Sequence, residues 1–398
     1  MEVEETPIDK CKMNSDWSIL TTIKKHQLTF FETKTFKEIG DFSDKNTGIV
    51  SLAFPIHRSN IIIILGNKAN IRFPENTVHL WDIEKQESIG SISIKVDPNI
   101  PDDLIFNVFL ANTYLFVATR YRIYMFDLMT LEHEFTFEDV YGKEGCISIF
   151  FTETKIFVSY ISNTNQSIVK VNKIKILKNG LKYSQRFIAT NFNSIQYIQT
   201  SPRGKYLAVA DAPGEKINLY SLRSYKARKC LWRGYGNVKI VSIFFDKDNN
   251  YVGIYSSQKT LHIYPIFDVR LRNRQSIVGR KSIRRNTNSN LNSSNLNNTI
   301  NNEEDEEQMQ ANKGKNKPSK FVGIFKNFRK KMGTRYVDSF ARYKDDKVLV
   351  RDIMICYFND SYDIILIDKI GKVFVIKFNK KNGGMCWLTE TKKLDTNN

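Results

Sequence analysis

Cysteine is scarce and scattered. The five cysteines, Cys11, Cys146, Cys230, Cys356 and Cys386, lie far apart and no two stand at CxxC spacing. Neither a zinc site nor a disulfide framework is indicated, and the pattern reads as that of a reducing compartment. Long apolar runs are also missing. The longest, "IIIIL" at 61–65, is far too short to span a bilayer. The opening "MEVEETPIDK" is acidic and has no apolar core, so no signal peptide is expected. No P-loop, no metal-spaced His/Cys cluster and no nucleophile motif occurs, which argues against an enzyme and implies no metal and no cofactor. Acidic residues are outnumbered, 42 Asp and Glu against 60 Lys and Arg, for a net charge of +18. A chain this basic is drawn to polyanions: nucleic acid, an anionic membrane or acidic partners.

Short apolar strands are plentiful, and helical periodicity is nearly absent. Many of the strands end in an aromatic residue followed by a turn. Phe31 in "HQLTFFE", Trp81 in "NTVHLWD", Phe126 in "YRIYMFD", Tyr220 in "EKINLYS", Tyr264 in "KTLHIYP" and Phe378 after "KVFVIK" mark the series, with a weaker member at Ile174 in "VNKIKIL". The interval is roughly 45 to 50 residues, except between Tyr264 and Phe378. Removal of a compositionally distinct stretch, residues 269–335, restores the period there. Seven stations of strand-turn pattern predict an all-β fold, a seven-bladed WD40-like β-propeller with a long disordered loop inserted in blade six. A large β-sandwich or two β domains would have no reason to keep that period. The expected organisation is an N-terminal tail (1–13), blades one to six (14–268), the insert (269–335), the end of blade six with blade seven (336–391), and a C-terminal tail (392–398).

The insert carries much of the charge. Its arms, 270–285 and 313–335, hold seven and nine basic residues and no acid, and they flank an Asn-rich stretch ending in "EEDEE". Such a composition has too few apolar groups to offset the entropy of ordering. In the second arm Phe321, Ile324, Phe325, Phe328 and Met332 fall at helical spacing between lysines and arginines. That pattern suits a helix lying in a membrane interface. A solvated loop with a few docked aromatics, or a nuclear-localisation or nucleic-acid tract, are the competing readings. Phosphate-backbone binding needs charge and no apolar stripe, so no nucleic acid is expected.

Several segments, taken in order, resemble one family. "MNSDWSIL", "NTVHLWDIEKQESIGSISI", "SPRGKYLAVADAPGEKINLYSLRS", "IVSIFFDKDNNYVGIYSSQKTLHIYPI", "DSFARY" and "KKNGGMCWLTE" are similar to successive parts of the PROPPINs, the phosphoinositide-binding propellers that include the WIPI proteins. "LWRGYG" stands where that family has Phe-Arg-Arg-Gly, between blades five and six. The resemblance implies a non-enzymatic effector of phosphatidylinositol 3-phosphate or the 3,5-bisphosphate in autophagy or endolysosomal traffic. It implies a cytoplasmic protein, peripheral on preautophagosomal, endosomal or vacuolar membranes, with autophagy or trafficking proteins as partners. The alternative is a propeller scaffold that has lost lipid binding.

The family has two headgroup pockets, one on each side of its arginine pair. At the first-pocket positions this chain carries Asn191, Asn193, Asp211, Glu215, Asn218 and Trp232. None keeps the family's ligand chemistry, and two are acids that would repel a phosphate. At the second-pocket positions stand Arg233, Ser242, Ser256 or Ser257, Thr260 and His262, with Lys259 beside them. Arginine supplies a bidentate fork, hydroxyls donate to the remaining oxygens, and the histidine is expected to charge at mildly acidic pH. Tyr235 departs from the family's usual threonine, and "SSQKT" is one residue short. A single live pocket, assisted by the insert, is the expectation.

Overall fold

A computed structural model describes residues 7–24, 27–43, 50–68, 70, 72–95, 99–267, 336–344 and 352–394. The described strands form seven sheets, five with four strands and two with five. This is the seven-bladed β-propeller. Neighbouring blades meet chiefly through their first strands, which therefore form the inner ring. Burial falls outward. The second strand of blade two, Ile61–Gly66, is buried along almost its whole length, because both faces of a blade are covered. The fourth strand of blade seven, Trp387–Lys393, is almost wholly exposed. The apolar side chains gather into seven clusters, one in each gap between adjacent blades. The repeat stations all sit on or just after third strands. Phe31, Trp81, Phe126, Ile174, Tyr220, Tyr264 and Phe378 are each buried, so the periodic aromatic is the residue that packs one blade on the next.

The N-terminal boundary differs from the expected one. Residues 10–13 are not tail: Lys10–Met13 forms the first strand of blade one, paired antiparallel with Ile19–Lys24. "KCKM" has no apolar alternation because this inner strand is only partly enclosed. At the other end Trp387–Lys393 runs past the expected boundary at 391, and Leu394 is buried. Among the described residues the ring closes without an exchanged strand. Ile8, fully buried, donates its N–H to the Lys369 carbonyl (2.7 Å) and packs among Ile367, Val373, Val375 and Leu394 of blade seven. Ile8→Val should remove one buried methyl and cost about 1 kcal/mol. Denaturant unfolding would report it as a lower midpoint at constant slope, and no shift would mean that closure does not depend on this contact.

The insert leaves after the third strand of blade six, Thr260–Pro265. Described structure resumes at Tyr336, and the returning chain frames the candidate site. Tyr336–Asp338 lies parallel to the fourth strand of blade five, Ala227–Trp232, placing Asp338 beside Trp232. Ala341–Tyr343 then supplies the fourth strand of blade six and sets Arg342 opposite His262. Phe321, Ile324, Phe325 and Phe328 lie outside the described residues. Among the described residues no helix is long and apolar enough to cross a membrane, and no group of His, Cys, Asp or Glu could hold a metal ion.

Candidate functional site

The loop 233–239 links blade five to blade six. Trp232 ends its strand almost buried, with its indole met edge-on by the exposed Tyr235 at 4.7 Å and its carbonyl accepting from the Tyr264 hydroxyl at 2.8 Å. The chain then turns back against the second turn of blade five, Asp211–Lys216. Arg233 makes that junction. Only 7% of it is exposed. Its Nε donates to the Gly214 carbonyl (2.5 Å) and its Nη2 to the Gly236 carbonyl (3.3 Å), while its backbone N–H donates to the Glu215 carbonyl (2.9 Å). Gly214 must be glycine here: its φ is +67°, and a Cβ would meet the Val238 carbonyl at 2.2 Å. The arginine is therefore partly spent on holding its own loop. Among the described residues it forms no ion pair.

The positions of the family's first pocket have structural employment. The Asp211 carboxylate accepts from the backbone N–H of Glu215 (2.9 Å) and of Lys216 (3.0 Å), which folds the turn. Burial raises its pKa, and those two backbone bonds oppose the rise. Glu215 accepts from the Gly236 N–H at 3.0 Å. Asn218 donates to the Asn191 side-chain oxygen (3.1 Å) and to the Tyr220 hydroxyl (3.3 Å). Asn193 is exposed. Two carboxylates and an amide pair occupy the ground where an anion would need donors.

On the blade-six side the groups are of the opposite sign. The Ser256 and Thr260 hydroxyls meet at 2.9 Å, Ser256 fully buried and Thr260 half-buried. Ser257 is exposed, its N–H donating to the Lys239 carbonyl (2.9 Å). Lys259 occupies the tight turn between them at φ +57°. The His262 ring is 4% exposed and lies parallel to Tyr264, and its Nδ1 has no partner among the described residues. Burial, then the positive charges of Arg233 and Arg342, push its pKa down to about 3. This corrects one expectation: His262 remains neutral at mildly acidic pH, because it is enclosed and faces two guanidinium groups. Ser242, on the first strand of blade six (Ile240–Phe245), is engaged differently. Its side chain lies beside Tyr197, on the first strand of blade five.

Arg233, Ser256, Thr260 and His262 thus gather at one corner, with Ser257 and Lys259 in its exposed turn, while Ser242 points to Tyr197. Arg342 is the group that residue-by-residue reading missed. It is exposed and directly across the strand pair from His262. Its only sequence signal was its place in "DSFARY", at the return from the insert. Two clefts, of about 340 Å³ and 310 Å³, are lined by neither Arg233 nor His262.

No family model matches the chain. It is similar to SVP1-like protein 2 of Saccharomyces cerevisiae, 22% identical over 262 residues, which are 61% of this chain and 57% of that protein. SVP1-like protein 2 of Pichia angusta is 23% identical over 222 residues, 54% of this chain and 58% of that protein. The matches therefore span a little over half the length of these relatives. Among solved structures, Hsv2 of Kluyveromyces marxianus superposes with a TM-score of 0.66 at 13% identity, covering 98% of this chain and 99% of that one. KlAtg21, solved as a complex with the coiled coil of AgAtg16, gives 0.64 at 13% identity and covers 98% and 100%. The distant sequence relatives agree with the resemblance of the ordered motifs to the PROPPINs, and the solved structures share the seven-bladed propeller fold of this chain.

Proposed function

We propose that this chain is a non-enzymatic effector that binds the headgroup of phosphatidylinositol 3-phosphate, or of the 3,5-bisphosphate, at one corner of blade six. The observation that carries the reading is the charge asymmetry across the loop 233–239. On the blade-five side stand Asp211, Glu215 and the Asn191–Asn218 pair. On the blade-six side Arg233 and Arg342 both place positive charge on His262, whose pKa burial first and then these two charges push down to about 3. Such a concentration of positive charge is what a phosphate monoester would relieve. Arg342, Lys259 and the Ser257 and Thr260 hydroxyls are the accessible donors, and Arg233 retains N–H groups that its two carbonyl partners do not use.

One headgroup is a weak anchor, and stable attachment usually takes two signals. Residues 320–332 supply the second by inserting Phe321, Ile324, Phe325 and Phe328 into the interface, with neighbouring lysines and arginines near the lipid charge. Linkage makes the two weak contacts act together through effective concentration. The membrane is preautophagosomal, endosomal or vacuolar, and the partners are autophagy or trafficking proteins; the complex of KlAtg21 with the Atg16 coiled coil supports a partner of that kind.

Flotation on liposomes across a phosphoinositide panel tests the reading, together with calorimetry on a short-chain soluble headgroup. The wild-type chain should float only with 3-phosphorylated lipid and bind near one headgroup per chain. Phe325→Asp with Phe328→Asp should abolish flotation and leave headgroup binding intact. A stoichiometry near two would restore the blade-five pocket. Absence of headgroup binding would favour the scaffold reading.

A further inference from the structure

A second cationic surface lies on blade four and is independent of the headgroup reading. The third and fourth strands of this blade, Ile168–Leu177 and Gly180–Ala189, are ten residues each and form a hairpin longer than that of any other described blade. Their register places three lysines in one row. Lys155 on the second strand is the cross-strand partner of Lys175, and Lys175 is the partner of Lys182. The neighbouring row carries Phe157, Lys173 and Ser184, and Arg186 follows on the outer strand opposite Val171. Cross-strand partners and residues two apart share a face, so five cations project from the same side of the sheet.

This arrangement is costly to the fold. Like charges directly opposite on adjacent strands are destabilising. Lys173 registers the cost, its pKa lowered by burial and then by Lys155 and Lys175. On the other face of the same strand Lys170 has its counter-ion, Asp139, at 2.8 Å. The five have none among the described residues, and Glu153, in the turn just before Lys155, forms no ion pair there. Lys175, Lys182 and Arg186 are exposed.

The row ends at an open edge. The outer strands of blades five and six are covered by Tyr336–Asp338 and Gly384–Met385, but nothing among the described residues pairs with the outer edge of Gly180–Ala189. An uncovered edge is a template for strand pairing. The opposite face of this strand is apolar toward solvent: Tyr183 stacks on Phe135 of blade three at 4.7 Å, and Phe187 is 59% exposed.

We propose that an extended acidic segment of a partner protein pairs with Gly180–Ala189 as a fifth strand of blade four. The lysine row dictates its composition. A residue opposite Lys182 continues the Lys155–Lys175–Lys182 row, those two away face Ser184 and the hairpin tip at Gly180, and the one four away faces Arg186. These positions take Asp or Glu. The alternate positions fall beside Tyr183 and Phe187 and take apolar side chains. The recognised segment therefore alternates acidic and apolar residues, and its carboxylates relieve a repulsion that the propeller carries when alone.

A short capped peptide of alternating Glu and Val is the probe, with its Lys-Val counterpart and a block-order Glu/Val peptide as controls. Fluorescence anisotropy on the whole chain should show binding of the alternating acidic peptide only. Hydrogen exchange should show new protection of amides within 180–189. Lys175→Glu with Lys182→Glu should weaken the acidic peptide at least about tenfold and create binding to the Lys-Val peptide. Unchanged thermal unfolding would confirm an intact fold, and should the double variant unfold, Arg186→Glu, at the exposed edge, is read in its place. Equal binding of the block-order peptide, or binding without amide protection, would reduce the surface to non-specific polyanion attraction and overturn the proposal. Preferential competition by phosphatidylserine vesicles would also overturn it, in favour of a lipid surface.

Discussion

Arg233→Ala should weaken binding of a soluble 3-phosphorylated headgroup by 10- to 150-fold. The range corresponds to the roughly 1.5–3 kcal/mol of a hydrogen bond to a charged group. The same substitution should lower the melting temperature, because a buried bond to the Gly214 carbonyl and a partly buried one to the Gly236 carbonyl disappear with the side chain. The two effects have separable origins. Arg342→Ala removes an exposed charge from the same corner without touching the loop, so it should reduce affinity by a smaller factor and leave the melting temperature unchanged. Calorimetry and thermal unfolding on both variants form the test. If Arg233→Ala melts early yet binds the headgroup as the parent does, Arg233 is a loop clamp only and the site assignment fails.

Acidification from pH 7 to pH 5 should cost the fold about 2 kcal/mol through His262 alone. Its folded pKa, about 3, lies below the ordinary value of 6.5, so the unfolded chain binds the proton first. Stability from this group is complete above pH 6.5 and declines at about 1.4 kcal/mol per pH unit as pH falls toward 3. Other groups move over the same range. His79, also lowered by burial, adds to the loss, whereas Asp211 and Asp246, raised by burial, oppose it. The measurement is therefore a difference: urea midpoints of the parent and of His262→Gln at both pH values. The parent should lose about 2 kcal/mol more than the variant. An equal loss would mean that His262 is accessible to protons in the fold. Bound phosphate should also raise the His262 pKa by screening the two arginines, and histidine NMR shifts would follow that change.

The architecture was largely legible because it repeats. One buried station per third strand, aromatic in every blade but the fourth, gives a period, and a period survives a long insertion. The place of Arg233, in the loop between blades five and six, was legible for the same reason. The direction of each side chain was not. Spacing places Arg233 at the blade junction, but its inward course depends on carbonyls at 214 and 236, one of them 19 residues away in sequence. Ser242 shares its strand with the expected site, yet faces Tyr197. Arg342 joins His262 only through strand pairing across the whole insert. Lys10–Met13 hid for a different reason: an inner strand in a partly enclosed ring need not alternate apolar and polar residues. The lysine row on blade four needs the register of three strands at once, which no linear pattern expresses.

The closure between blades one and seven has a topological consequence. Ile8 and Leu394 pack on the same residue, Gly371, with side-chain atoms 3.8 Å and 3.6 Å from where its Cβ would stand. Among the described residues no strand is shared across that seam, so Ile8 and blade seven are held together by side chains and the backbone bond from Ile8 to Lys369. A short linker joining them would leave every sheet intact, and the chain could be reopened elsewhere. Reopened between residues 267 and 336, such a circular permutant would carry the former insert as free tails on an uninterrupted ring of blades.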